Sequence, residues 1–322
     1  MSQTIMESGG MNEVVPSLHM VEVFQPYITS ETSFVNLLDA VRNISFYKGI
    51  EIPLILQQNN REKVRKIVAE EKYELTVWLS PAIQKNGYNL ASIDDDLREK
   101  SVLFTKDLIQ SAAELGAVNV GVPSGPDPGN LVRKDAYKAI ADSYEMIAET
   151  ARQFPNLRLM IEPADRYIHK KQLLGPIKEV LPWFAELRKR CPNFYLNYDS
   201  AHIALENMDP VETLQLCLPY ICHMHICNCV TEPKHPFYGD WHMEIGEAPT
   251  YKNEGYLTVD IASRLLRQLH NSQRICGGAS ICTSIEVTTH MGDDCWKRER
   301  EARRFLAEAF DKAMIVQQVE DH

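Results

Sequence analysis

Arg158-Leu159-Met160-Ile161-Glu162 is a short strand-like segment that ends in a metal-ligating residue type. The chain repeats that plan three more times, in Phe194-Tyr195-Leu196-Asn197-Tyr198-Asp199, His223-Met224-His225 and Ser284-Ile285-Glu286. Helix-like stretches separate the four, so residue types that ligate metals recur as Glu, Asp, His, Glu at successive strand ends. A barrel of parallel strands gathers such ends into one ring at its C-terminal mouth. A charged side chain facing a barrel interior is costly unless it is paired or bound to a cation. Carboxylates with one imidazole suit a hard-to-borderline divalent ion: Mn²⁺ first, with Mg²⁺, Co²⁺ and Zn²⁺ as alternatives. Glu162, Asp199, His225 and Glu286 are therefore the expected ligands.

Outward from these segments, the same βα rhythm runs along almost the whole chain and predicts a parallel sheet. Strands are expected at Leu18–Phe24, Ile50–Leu54, Leu75–Leu79, Val118–Val122, Arg158–Glu162, Phe194–Asp199, Ile221–Ile226 and Ile281–Val287. Helical patterns fill the intervals, for example Ile93–Leu115, Arg133–Gln153 and Asp294–Val316. Eight of each in 322 residues fit a single-domain (β/α)₈ TIM barrel over residues 18–322, preceded by an N-terminal extension of residues 1–17. A doubly wound sheet is disfavoured, because no Gly-x-Gly-x-x-Gly follows the first strand. One connection, residues 227–256, is far longer than usual and rich in Pro, Gly, His and aromatics. It leaves the seventh strand beside the expected ring, where long loops shape or cover a site.

Strand parity separates the two histidines of the third segment. His223 and His225 share a face but lie about 7 Å apart along a strand. His225 belongs to the mouth, and His223 reads as a deeper core histidine with a hydrogen-bond partner. A second cluster follows: His202, three residues after Asp199, then Asp240-Trp241-His242 in the long loop. Two jobs fit it, contact with a substrate hydroxyl or proton shuttling on one side, and additional metal on the other. Cys227-Asn228-Cys229 lacks both the Cys-x-x-Cys spacing and the second ligand pair of a structural zinc site.

Bulk composition narrows the class. Apolar residues make up 44% and charged residues 24%, ordinary for a globular protein. A net charge of −10 argues against a surface that grips phosphate backbones, so nucleic acid is not the expected partner. No apolar run approaches the roughly 18 residues of a membrane span, and residues 1–16 do not read as a secretory signal. The eight cysteines then read as reduced thiols of a cytoplasmic protein.

Glu162, the Asp199-x-x-His202 pair, His225, the Asp240–Glu247 segment and Glu286 together resemble the xylose-isomerase-like TIM barrels. These include sugar isomerases and epimerases, hydroxypyruvate isomerases and endonucleases of the endonuclease IV type. The resemblance spans about residues 18–316. It implies that Glu162 and Glu286 also act as the acid/base pair on a carbonyl sugar, with His202, Asp240, Trp241 and His242 near the substrate. The expected chemistry is loss of a proton α to a metal-bound carbonyl, followed by reprotonation (isomerisation or epimerisation) or by elimination. The long aromatic loop tilts this towards elimination, as in the metal-bearing subunit of bacterial enzymes that cleave 3-oxo-C-glycosides. Those work with a smaller β-rich partner subunit, and an oligomer is expected. The endonuclease branch, acting on abasic DNA, is the alternative. It matches less well, because Leu79-Ser80-Pro81 and Val122-Pro123-Ser124 supply no histidine and Ala248 stands at the motif's final glycine.

Overall fold

The computed structural model of the chain describes residues 12–245, 255–272 and 280–320, with side chains through residue 313. Eight parallel strands close into a barrel in sequence order: β1 Val14–His19, β2 Gly49–Pro53, β3 Glu74–Trp78, β4 Ala117–Gly121, β5 Arg158–Ile161, β6 Phe194–Asp199, β7 Ile221–Cys227 and β8 Ile281–Glu286. The seam pairs Val14 through Leu18 of β1 with Ile281 through Ile285 of β8. The main helices that follow each strand are α1 Glu31–Val41, α2 Gln58–Glu71, α3 Asp95–Glu114, α4 Arg133–Ala151, α5 Ile177–Arg190, α6 Pro210–Cys217, α7 Val259–Asn271 and α8 Cys295–Glu320. No helix among the described residues is long and apolar enough to cross a membrane.

Local chemistry explains the helix boundaries and faces. Ser30 and Ser33 form a capping box at the start of α1. The Asp94 carboxylate accepts two backbone N–H groups at the start of α3, and Asp209 does the same for α6, with Pro210 in the first helical position. In α7 the buried Ala262, Leu265, Leu266 and Leu269 fall at helical spacing on one face, which packs on the barrel and on α8.

The first strand departs from expectation. It begins at Val14 and ends at His19, so residues 14–17 belong to the barrel rather than to an extension. Met20–Val23 turns into a short helix whose Met20 and Val23, with Phe24, are fully buried. Residues 1–11 lie outside the described part.

Within the strands, apolar and polar side chains alternate. Ile50 and Ile52 join the apolar layer between sheet and helices, while Glu51 between them reaches residues of β1, β3 and β7 across the barrel. Such cross-barrel contacts are made only by inward side chains. The lumen is consequently polar, with Thr76, Asn119, Asn197, His223 and Ser284 completely buried. TIM barrels more often fill this space with branched aliphatic residues, whereas here Asn119 donates to Thr76 and Asn197 bonds His223 and His225, and Ser284 Oγ has no hydrogen-bond partner among the described residues.

Candidate active site at the barrel mouth

Four strand ends place Glu162, Asp199, His225 and Glu286 in one ring, with one ligand atom from each lying within 4.8 Å of the others. Glu286 Oε2 stands 3.2 Å from His225 Nδ1, and Glu162 Oε1 stands 3.8 Å from the same nitrogen. Asp199 caps the short helix Ser200–Leu205, its Oδ1 accepting the Ala201 N–H at 2.7 Å. This cap fixes the rotamer of Asp199, and the helix carries His202 back over the ring. Burial, reinforced by the Glu162, Asp240 and Glu286 carboxylates, pushes Asp199 up to about 7 despite the opposing charge of His202. Three converging carboxylates and an imidazole form a donor set that suits a divalent cation, whose charge would relieve the crowding felt at Asp199.

The opposite edge of the His225 ring is held from below. Its Nε2 donates to Glu51 Oε2 at 3.0 Å, and Trp78 Nε1 donates to the same oxygen at 2.8 Å. Asn197 bridges the two histidines, 3.0 Å from His225 Nδ1 and 3.0 Å from His223 Nδ1. His223 is thus the buried, hydrogen-bonded core histidine that strand parity predicts, and burial lowers it to about 4. Burial works to raise the Glu51 carboxyl, but His223, His225 and His19 outweigh it and hold Glu51 well below its usual range. A carboxylate on the outer nitrogen of a ligating histidine fixes its tautomer and raises its basicity.

The second cluster also assembles. Asp240 Oδ2 lies 3.0 Å from His242 Nε2 and 3.9 Å from His202 Nε2. Burial opposes a charged His202, yet Asp199 and Asp240 lift it to about 10. His242, in the left-handed region at φ +46°, reaches Glu286 Oε1 and Glu22 Oε2, both at 3.5 Å from its Nδ1. Left-handed backbone is uncommon for any residue but Gly, His being among the more tolerant, and strain of this kind persists where the surroundings over-determine it.

A cavity of about 200 Å³ opens above the ring, lined among others by Trp78, Gln84, Ser124, Glu162, His202, His242 and Glu286. Its size falls below the roughly 300–1,000 Å³ of drug-sized ligand pockets and suits a small polar molecule. Trp241 is not part of this lining. Half exposed, it packs against His169 with ring centroids 4.4 Å apart, and the indole facing the cavity is Trp78. Asp240 sits behind His242 and His202, fully buried. The long loop is tied down by Asn228, whose Nδ2 donates to the Glu244 carbonyl while its Oδ1 accepts the Leu257 N–H. Gly246, Glu247 and Ala248 of the loop motif lie outside the described residues.

Several site residues escaped the sequence reading. Glu51, His19, Glu22 and Trp78 come from the first three βα units, and Cys227 extends β7 one pleat beyond His225. The Cys227 thiol contacts Asp199 Oδ2 at 3.3 Å and Glu286 Oε2 at 3.0 Å. Cys229 points elsewhere, towards the Ala201 carbonyl, so the two do not form a thiolate pair.

The sequence profile described as xylose isomerase-like TIM barrel matches residues 38–259. Among solved structures, an L-ribulose 3-epimerase superposes with a TM-score of 0.70 at 15% identity, covering 97% of this chain and 99% of that one. For 3-keto-D-glucoside 4-epimerase from E. coli the TM-score is 0.61 at 15% identity, with 92% and 98% covered. An AP endonuclease, family 2, from Brucella melitensis gives 0.62 at 14%, with 89% and 96% covered. At such identities the likeness shows the fold alone. No curated protein matches the chain.

Proposed function

This chain belongs to the xylose isomerase-like TIM barrel family, and on that footing we propose that it is a divalent-metal-dependent enzyme of the sugar isomerase/epimerase type. Its substrate would be a carbonyl-bearing sugar or an oxidised glycoside, from which it removes the proton next to the carbonyl. The observation that carries this reading is the Glu162–Asp199–His225–Glu286 ring opening onto a small polar cavity, with two of its carboxylates in the cavity wall. A divalent cation (Mn²⁺ first) would polarise a carbonyl and acidify the neighbouring C–H bond. Glu162 and Glu286 enter from strands three apart on the ring, so a bound sugar would have one carboxylate to accept a proton and another to return it. His202, kept charged by Asp199 and Asp240, would donate a hydrogen bond to a substrate oxygen.

Proton return is the favoured outcome. The aromatic loop that argued for elimination turns Trp241 onto His169, and the described cavity has room for a sugar ring rather than a ring with a large aglycone. The 3-keto-glucosides, on which the E. coli 4-epimerase of similar fold acts, join the free ketoses among the first probes. The test incubates Mn²⁺-loaded protein with ketohexoses and 3-keto-glucosides in D₂O and follows deuterium, new isomers and released aglycone by mass spectrometry. Exchange that disappears on chelation and in Glu286→Gln supports the proposal. Turnover that survives exhaustive chelation would end the metal assignment, and an aglycone released without any isomer would move the enzyme to the lyases.

A further inference from the structure

Lys170 has no role in the chemistry described so far, yet its side chain enters the same cavity wall as Glu162, Glu286, His202 and His242. Its Nζ lies 3.1 Å from Asp240 Oδ2 and 3.1 Å from His242 Nε2. His242 Nε2 is itself 3.0 Å from Asp240 Oδ2. If that ring nitrogen donates to the carboxylate, it has no lone pair for the ammonium. Lys170 therefore donates one N–H to Asp240, and an ammonium has three. The side chain remains 35% exposed, so its remaining donors face the cavity. Asp240 is fully buried, and its second oxygen, Oδ1, has no hydrogen-bond partner among the described residues. A buried carboxylate left half unsatisfied is costly, and a fixed cation beside it offsets that cost.

The backbone is built to deliver this ammonium. The Asp165 carboxylate accepts the N–H groups of Ile168, His169 and Lys170 at 2.9, 2.6 and 3.0 Å. Immediately afterwards Lys171 adopts φ +51° and its carbonyl accepts the Asp127 N–H. The turn is thereby bolted on both sides of Lys170, and Asp165 ties it to the ring through His202, 3.6 Å away.

We infer that Lys170 is a catalytic residue that binds the substrate oxygen on which negative charge develops, as a fixed ammonium in the same cavity wall as Glu162 and Glu286 of the candidate metal ring. The inference rests on the proton-abstraction reading above. It deepens that reading by requiring a substrate whose oxygen becomes anionic within reach of Nζ. The ammonium stays protonated and acts through charge and hydrogen bonding, the kind of preorganised stabilisation that favours a developing anion.

Oxalate, a small planar dianion, is the probe, because it presents anionic oxygens without turnover. Its affinity for Mn²⁺-loaded protein is measured by calorimetry for wild type, Lys170→Met and Lys170→Met/Asp240→Asn. The double variant replaces the buried ion pair with a neutral pair, so it decides the matter if the single variant misfolds. Both variants are expected to bind oxalate more weakly by on the order of 10- to 100-fold, the usual scale for a lost hydrogen bond to a charged group. Bound Mn²⁺ is expected to stay the same. Oxalate affinity within about threefold of wild type in the folded variants, or no oxalate binding by wild type, would overturn the assignment. Deuterium exchange that fails with every sugar while the oxalate difference persists would instead refute the sugar reading and leave Lys170 as an anion donor.

Discussion

Replacing Glu51 with Gln isolates the electrostatic contribution of a residue that never touches the substrate cavity. Both hydrogen bonds to Glu51, from His225 Nε2 and Trp78 Nε1, end on the same oxygen, Oε2. A glutamine can place its one carbonyl oxygen there and keep both. Its amide then takes the place of Oε1, 3.4 Å from His223 Nε2. With the His223 ring neutral, as its lowered value near 4 indicates, that nitrogen can accept the amide hydrogen. The swap is thus isosteric and compatible with every neighbour, and only the charge is lost. Loss of an outer partner of this kind weakens metal binding by about 10- to 100-fold, or about 1.4–2.8 kcal/mol. Glu51→Leu should do more, stranding two buried donors at about 1–3 kcal/mol each. Titration of Mn²⁺ into both variants, with thermal unfolding of the metal-free proteins in parallel, reads the two effects separately. Glu51→Gln with Mn²⁺ affinity within about twofold of wild type would refute the idea that Glu51 governs His225.

Three further outcomes are expected. A Cβ added at Gly121 would lie 2.1 Å from Trp78 Cε3, so Gly121→Ala should shift the indole off Glu51 and destabilise the fold by about 1–3 kcal/mol; unchanged unfolding and tryptophan emission would contradict this. Asp165→Ala strands three backbone N–H groups and should cost on the order of 2 kcal/mol or more, with oxalate affinity falling as the Lys170 turn loosens; a variant with wild-type affinity would separate that turn from the site. Asp199, raised from 3.8 to about 7, makes the metal-free fold bind more protons than the unfolded chain between those values, so its contribution to stability falls as pH rises through that window. The wild-type minus Asp199→Asn difference in melting temperature should therefore decline from about pH 4 to 7 without metal and flatten with saturating Mn²⁺. A flat metal-free difference would show that Asp199 is not raised.

The ring was legible because each of its members lies at or within two residues of a strand's C-terminal end, and strand ends can be located from apolar runs. Glu51 was equally open to reading: in Gly49-Ile50-Glu51-Ile52-Pro53 a carboxylate alternates with two isoleucines, which places it opposite the helix-facing side. It sits in mid-strand, so the strand-end signal that marks the ring does not reach it, and only parity within the strand does. The first strand was misplaced for a different reason. Met20, Val23 and Phe24 are as buried as any strand residue, and apolar density alone does not distinguish a strand from a buried turn. Lys170 and Trp241 depend on the course of loops. Nothing local to Lys170 announces that Asp165 will gather three N–H groups and swing the turn inward. Nor does Asp240-Trp241-His242 reveal that its indole will lie outside the cavity while His242 lines it and Asp240 is buried behind.

The seam between β1 and β8 carries a consequence for how the protein comes into being. A ribosome delivers β1 first and β8 last, so seven strands must wait with two open edges, each a template for mispairing. Glu286 ends the strand that closes the circle, and the fourth member of the ring arrives only then. On the proposed metal-dependent reading, a nascent chain that has emitted Glu162, Asp199 and His225 would carry an incomplete chelate on an unclosed sheet. Capture of the ion and closure of the sheet would then be coupled late events, and scarcity of metal during synthesis should show itself as misassembled protein before it shows itself as slow turnover.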